Sequence, residues 1–153
     1  MQKTFVAAEE IVYRRIQAGR NYKKRLSDGT FRLSSQAFSD PNYRPSVNRA
    51  ELCNHDPKYT QIVATDGVVS LVTYEVRAID TVVQNDTHGE LIRKHNVDVE
   101  HVPEPENYSH AEIYVHPDIQ SRKVFHRLIE RLAQMASQRP WEIELQEDIE
   151  PPF

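Results

Sequence analysis

Apolar and polar positions alternate through much of the chain, and one late segment follows a helical period instead. Residues 10–16 and 110–115 combine β-branched and aromatic side chains with a period of two, which favours β-strands. Apolar residues alternate again from Val97 until Pro103 interrupts the pattern. A long helix over about residues 118–137 is predicted by an apolar stripe at helical spacing, formed by Phe125, Leu128, Ile129, Leu132 and Ala136.

Turn and cap signals divide the middle of the chain. The pair Asp66-Gly67 lies between residues 59–65 and residues 68–79, and it predicts a hairpin that joins two strands. Ser46 is typical of a helix N-cap and predicts a short helix that ends after Cys53.

These elements predict an α+β protein with a single domain. We expect a mostly antiparallel sheet packed against one long helix in the C-terminal half, with a short helix near residues 46–53. The domain would span residues 1–138, and residues 139–153 would form an acidic tail that packs on the domain or is flexible.

Composition excludes several classes of protein. The chain has 153 residues, and no apolar run approaches the roughly 18 residues of a membrane-spanning helix. No long apolar stretch follows Met1, so we expect no secretory signal. Cys53 is the single cysteine, which excludes an internal disulfide and a multi-cysteine zinc site and favours a cytoplasmic location. Only four glycines are present, without a GxGxxG or Walker A pattern, which argues against the usual nucleotide-binding loops.

Charge is divided unequally along the chain. Residues 1–50 carry a balance of +6, whereas residues 51–153 carry −10 and end in an acidic cluster. This division suits a small anionic ligand near the N-terminal half, or a tail that folds back over that half. The basic stretch 20–25 contains Tyr22 and is a small footprint in a chain of net charge −4, which argues against nucleic acid as a partner. A protein partner stays open.

The segment after residue 109 carries candidate acid–base chemistry. In a strand, His110, Glu112, Tyr114 and His116 share one face. The two histidines lie roughly 20 Å apart along an extended chain, so they predict no metal site. Glu112 and His110 are candidate catalytic groups, and a solvated strand face is the alternative.

Arginines and serines supply candidate anion-binding groups. In the first strand, Arg14 or Arg15 must point toward the apolar face, where it needs a carboxylate, carbonyls or a bound anion. Further candidates precede or begin the predicted short helix, where a helix N-terminus favours anions, although turn and cap chemistry explains the same residues: Arg32, Ser34, Ser46 and Arg49. Ser35 is a candidate nucleophile, but no Gly-x-Ser-x-Gly elbow surrounds it.

Four segments together carry a resemblance. They read YRRI at 13–16, RLSSQAF at 32–38, PSVNRA at 45–50 and HAEI at 110–113. In this order they resemble a family of small bacterial proteins that carries no established activity.

A more distant resemblance is to RES-type NAD-degrading toxins and the ADP-ribosyltransferase fold. It implies that Arg14 or Arg15 holds the NAD phosphates or ribose, and that Ser34 or Ser35 lies over the nicotinamide. Glu112 would then stabilise the positive charge that develops on the sugar. The Gly-Arg-Trp stretch of the toxins has no counterpart beyond Arg32.

The sequence therefore predicts a ligand- or partner-binding domain with a polar pocket of Arg, Ser, His and Glu side chains. The alternatives are an NAD-processing enzyme, with NAD as its ligand, and a nucleic-acid-binding module. Whether the chain is an enzyme, and its oligomeric state, stay open. The test is whether these residues meet around one cavity.

Overall fold

A sheet of five antiparallel strands organises the chain, as seen in a computed structural model that describes residues 4–146. In chain order the strands are β1 (Ile11–Ile16), β2 (Lys23–Arg25), β3 (Phe31–Leu33), β4 (Ser46–Arg49), β5 (Gly67–Val72), β6 (Val83–Asn85), β7 (Leu91–Lys94), β8 (Asn96–His101) and β9 (His110–His116). The strand order across the large sheet is β5-β1-β4-β9-β8. β2 pairs with β3, and β6 pairs with β7, as two separate hairpins.

Two α-helices and three short 3-10 helices complete the described structure. α1 (Thr73–Arg77) follows β5 directly, and α2 (Arg122–Ser137) follows β9. The 3-10 helices span Ser35–Phe38, Ala50–Cys53 and Pro57–Thr60. None of the helices within residues 4–146 has the length and apolar character needed to cross a membrane. The α+β class, with one sheet and one long helix, is confirmed.

The predicted stripe buries α2 against the sheet. The Ser121 hydroxyl accepts a hydrogen bond from the Val124 amide at 3.1 Å and begins the helix. All five residues of the stripe are buried and join the main apolar core. The helix therefore forms and packs for the reason its period predicts, since its apolar face covers the inner face of the sheet.

The predicted helix over residues 46–53 is wrong in its first half. Ser46–Arg49 is a strand that pairs with both β1 and β9, and only Ala50–Cys53 is helical. A Ser at the start of a segment is a local cap signal, whereas pairing on both edges is a tertiary contact that outweighs it. Asn54 ends the helical turn with a left-handed backbone, φ 56°.

The predicted hairpin at Asp66-Gly67 is also wrong. Residues 59–65 form no strand, because Pro57–Thr60 is a 3-10 helix that Asp56 caps. The buried Asp66 carboxylate then accepts hydrogen bonds from the amides of Ile62 and Val63, at 3.0 and 3.1 Å. That contact folds the chain into a tight loop, so β5 begins at Gly67 without a partner strand before it.

The sheet has an inner face toward α2 and an outer face on which polar side chains lie beside a smaller apolar cluster that includes Tyr13 and Val68. On β1, Val12, Arg14 and Ile16 point inward, and Val12 and Ile16 belong to the main core. Arg14 is therefore the arginine on the apolar face. On β9, Ala111, Ile113 and Val115 are buried in the core, as the alternation predicts. The outer face carries Glu112, Tyr114 and other polar side chains.

The described part of the acidic tail, residues 139–146, packs on the domain. Leu145 is buried in the main core, and Ile143 bridges to Val68 of β5. The Lys23 ammonium donates to a Glu144 carboxylate oxygen at 3.2 Å. The prediction for the rest of the tail falls on residues 147–153, which lie outside the described residues.

Candidate functional site

A polar cleft of about 520 Å³ opens where β1 and β4 separate. Registered pairs join Val12 to Arg49 and Tyr13 to Asn48, and within the described chain the β1–β4 pairing ends there. β1 stays paired with β5 through Ile16, whereas β4 stays paired with β9 through Ser46. The separation of two neighbouring strands exposes backbone and side chains from both sheet faces in one opening.

Arg14 lies in this opening and bonds to backbone carbonyls. Its guanidinium donates to the carbonyl oxygens of Ala37, Ser39 and Ser46, at 3.1, 3.3 and 2.8 Å. The Ser46 carbonyl faces the β1 side of β4, so Arg14 occupies the place where a ladder hydrogen bond would otherwise form. The guanidinium also lies 5.6 Å from the centroid of the Phe38 ring.

Among residues 4–146, no carboxylate makes a salt bridge with Arg14. Burial lowers the pKa of Arg14 to about 10, and the negative charge of Asp40 opposes that shift. The side chain still carries its proton at neutral pH. The cleft thus contains a half-buried cation whose hydrogen-bond partners are neutral backbone carbonyls.

Arg15 also lines the cleft but has a carboxylate partner. Its guanidinium donates to Asp66 at 3.3 Å. Burial works to raise the pKa of Asp66, but hydrogen bonds from the Val63 and Ile62 amides and from Arg15 outweigh it and hold the pKa below its usual range. Arg15 is therefore committed to the loop that precedes β5, and Arg14 is the cation available to a ligand.

Ser46 and His110 meet at the wall of the cleft. The Ser46 hydroxyl oxygen lies 3.1 Å from Nε2 of His110. Nδ1 of the same ring lies 2.7 Å from the Val102 carbonyl oxygen, which can only accept. A Glu104 carboxylate oxygen is 3.8 Å from Nε2. Ser46 and His110 belong to neighbouring strands and are 64 positions apart in the chain.

A separate chain of amide and hydroxyl side chains lies in the same cleft. Asn107 donates from its side-chain amide to the Asn48 oxygen at 2.8 Å, and Asn48 donates to the Thr60 hydroxyl at 3.0 Å. All three side chains line the cleft. Sequence reasoning missed them. Asn48 shares the strand face of Ser46 by its period of two and could have been found, whereas Asn107 lies in a Pro-Glu-rich loop without periodicity.

Glu112 lies on the outer sheet face and is held by an arginine. The Arg44 guanidinium donates to Glu112 at 2.6 Å and lies 3.3 Å from a Glu100 carboxylate oxygen. Burial alone would lower the pKa of Arg44, but the two carboxylates outweigh it and raise that pKa. Tyr114 contributes its ring, 4.8 Å from the guanidinium carbon. Glu112 is thus part of an ion-pair cluster beside the cleft and is not among the residues that line it.

Arg32, Ser34 and Ser35 lie elsewhere. They line a second depression, of about 550 Å³, between the β2–β3 hairpin and α2. The Ser34 hydroxyl caps the following 3-10 helix by accepting from the Gln36 amide at 3.2 Å. The candidate nucleophile Ser35 is therefore not in the same cavity as Arg14 and His110.

Arg49 is buried in the core on the inner face. Its guanidinium donates to both carboxylate oxygens of Glu10, at 2.9 and 2.8 Å, and to the Phe5 carbonyl. The two side chains form a buried bidentate pair, a geometry that fixes the start of β1 against the end of β4.

The structure thus brings together four of the predicted site residues, namely Arg14, Arg15, Ser46 and His110. Within the described residues, no group of three or more His, Cys, Asp or Glu side chains is arranged to hold a metal ion. Comparison of the chain with family models, with curated proteins and with solved structures found no match. The class of protein that the fold defines is an α+β domain of unknown function with a preformed polar cleft.

Proposed function

We propose that this protein binds a small anionic ligand, one that bears a carboxylate or phosphate group, in the cleft between β1 and β4. The observation that carries the proposal is the Arg14 guanidinium, which is half-buried among backbone carbonyls without a salt-bridge partner in the described chain. A desolvated cation is costly unless a negative charge approaches it. A bound anion supplies that charge.

The geometry of Arg14 suits an oxygen anion. A guanidinium has five N–H donors, and three hydrogen bonds to carbonyls leave donors that can point into the cleft. Its planar fork fits two oxygens of a carboxylate or phosphate at once. The Asn48, Thr60 and Asn107 side chains, which also line the cleft, offer further hydrogen bonds for the polar part of such a ligand.

The cleft also has an apolar rim. Tyr59 and Ile62 line it and are 53 % and 73 % exposed. Exposed apolar side chains beside a polar pocket favour a ligand that carries a ring or a short alkyl group as well as its charge. We therefore expect an organic anion to bind more tightly than an inorganic one.

Thermal denaturation with added anions tests the proposal. Phosphate, pyrophosphate, citrate and NAD are the probes, and the binders should raise the Tm as their concentration exceeds their Kd. Replacing Arg14 with Lys keeps the charge and removes the fork, so it should weaken binding at least about tenfold by calorimetry. The matched control is Arg93→Gln on the exposed β7, which should leave binding unchanged.

Two results would overturn the proposal. One is the absence of a Tm shift with any of the four anions. The other is equal affinity in the folded Arg14→Lys variant and in the wild type. NAD belongs among the probes because its pyrophosphate has the required chemistry. Release of nicotinamide from NAD would in addition support the NAD-processing alternative.

A further inference from the structure

We propose that Ser46 and His110 form a nucleophile and general-base pair, and that the cleft transfers an acyl group from a small ester or thioester. The hydroxyl-to-Nε2 distance of 3.1 Å lies within the reach of a working nucleophile–base pair. The proposal rests on the bound-anion proposal only for the substrate's charged end. The covalent chemistry rests on the contacts of Ser46 and His110 themselves.

The tautomer of His110 follows from its surroundings. The Val102 carbonyl can only accept, so Nδ1 must carry the hydrogen of that 2.7 Å contact. In the neutral ring Nε2 then has a free lone pair, and the Ser46 hydroxyl donates to it. This is the direction that removes a proton from the hydroxyl when its oxygen attacks. The Val102 carbonyl does the orienting that an aspartate performs in the Ser-His-Asp arrangement.

The sheet holds the pair rigidly. Asn48 is opposite His110 in the β4–β9 register, and Ser46 is opposite Glu112, so Ser46 and His110 are diagonal neighbours on one face. His110 is buried, with 8 % of its surface exposed, and its ring is fixed at both nitrogens. Groups on paired strands keep their geometry better than groups on loops, which suits a reacting pair.

Two charges flank the pair as a reaction would require. Glu104 lies 3.8 Å from Nε2 and can stabilise the imidazolium that forms on proton uptake. Arg14 donates to the backbone carbonyl of Ser46 at 2.8 Å, so its cation lies beside the attacking residue and can attract the negative charge that develops on the acyl oxygen of the substrate. The negative group is on the histidine side and the positive group is on the serine backbone side.

The reaction balances with water as the second reactant. The Ser46 oxygen attacks the acyl carbon while its proton passes to Nε2 of His110, and a tetrahedral oxyanion forms. The bond to the leaving alcohol or thiol then breaks, and that group takes the proton from His110. Water attacks the acyl-serine next, gives a proton to His110, and releases the acid as the proton returns to Ser46.

An uncharged alkyl fluorophosphonate tests the pair without using Arg14 as an anion site. The Ser46 oxygen attacks phosphorus, fluoride leaves, and the hydroxyl proton is taken up by His110. Peptide mass spectrometry should locate the adduct on Ser46. The adduct should be absent in Ser46→Ala and should form at least about 100-fold more slowly in His110→Gln. Ser27→Ala, in an exposed turn, is the matched control and should label at the wild-type rate.

The possible outcomes separate the two proposals. Absence of a Ser46 adduct in the wild type, or an equal labelling rate in a His110→Gln variant with a native circular dichroism spectrum, overturns the nucleophile–base pair. If anions still raise the Tm in that case, the anion-binding proposal stands alone. Labelling of Ser46 without any effect of anions on Tm would support the pair and overturn the anion site.

Discussion

Single buried polar side chains in this protein differ in how fully they are satisfied. The buried Arg49 and the half-buried Arg14 and Ser46 all have hydrogen-bond partners, as polar groups removed from water normally do. His101 does not. Both of its ring nitrogens are buried and have no partner among the described residues, while its ring packs edge-on against Tyr108 at 4.9 Å. The His101 ring therefore packs as an aromatic side chain, and it can still take up a proton.

Replacing His101 with Phe should reduce the sensitivity of the fold to mild acid. Burial, helped by the positive charge of Arg49, lowers the pKa of His101 below its usual value of 6.5. The unfolded chain therefore binds a proton near pH 6.5 while the folded chain stays neutral, so the free energy of unfolding falls as pH drops from 7 through the folded pKa. Urea denaturation at pH 7 and pH 5 should show a smaller loss in His101→Phe.

The matched control for this experiment is His88, which lies in an exposed turn. His88→Gln should lose stability between pH 7 and pH 5 as much as the wild type does. If His101→Phe shows the wild-type loss as well, the ring of His101 is hydrated or bonded in solution and the burial argument fails.

Among the elements, the loop before β5 is built around one carboxylate. Asp66 is fully buried and accepts from two backbone amides and from Arg15. Its second carboxylate oxygen is buried without a partner in the described chain. The loop before β5 lines the cleft through Thr60, Gln61 and Ile62. Its conformation thus depends on the ionised carboxylate of Asp66.

Asp66→Asn should destabilise the protein by about 2–3 kcal/mol at pH 7. The change removes the ion pair with Arg15, and it leaves the hydrogens of the new side-chain amide buried without acceptors. The pKa of Asp66 is lowered in the fold, so its contribution is present above pH 3.8 and is lost as pH falls through the folded pKa. The difference between variant and wild type in urea denaturation should therefore shrink from pH 7 to pH 3. A constant difference would show that the charge of Asp66 is not what stabilises the loop.

Elements with a strong local period could be predicted, and elements fixed by distant contacts could not. The stripe of α2 and the alternation of β9 are visible in a short window, and both formed as predicted. Residues 59–65 resemble a strand in sequence because they include apolar and β-branched side chains. The hydrogen bond from the Ile62 amide to Asp66, which folds them into a loop, has no sequence pattern of its own. The site follows the same rule. The sequence marks Ser46 and His110 as separate candidates, but their contact depends on the β4–β9 register, which no local pattern specifies.

On the scale of the whole molecule, the tail after α2 closes the edge of the sheet. A Cβ added at Gly67 would lie 2.7 Å from the Trp141 ring and 3.0 Å from the Leu145 backbone. The first residue of β5 must therefore be glycine for the tail to reach Val68 and bury Leu145. The basic N-terminal part of the chain and its acidic tail also meet near this edge, through the ion pair between Lys23 and Glu144.

Gly67→Ala should destabilise the protein by about 1–3 kcal/mol, because the backbone of Leu145 has to move away from the new methyl group. Residues 139–146 should then become more sensitive to limited proteolysis, whereas α2 should keep its protection. An unchanged Tm, with unchanged chymotryptic cleavage after Trp141, would mean that the tail does not pack on β5 in solution.

The place of Arg14 between two strands has a consequence for how the cleft comes to exist. The Arg14 guanidinium donates to the Ser46 carbonyl oxygen of β4, which would otherwise accept a ladder hydrogen bond from β1. The Arg14 side chain therefore holds the two strands apart. β1 and β4 therefore do not have to separate when a ligand binds, and binding requires little rearrangement of the backbone. The Arg14 side chain would also prevent β1 and β4 from closing over a bound ligand, so the cleft is a rigid opening and does not shut on binding.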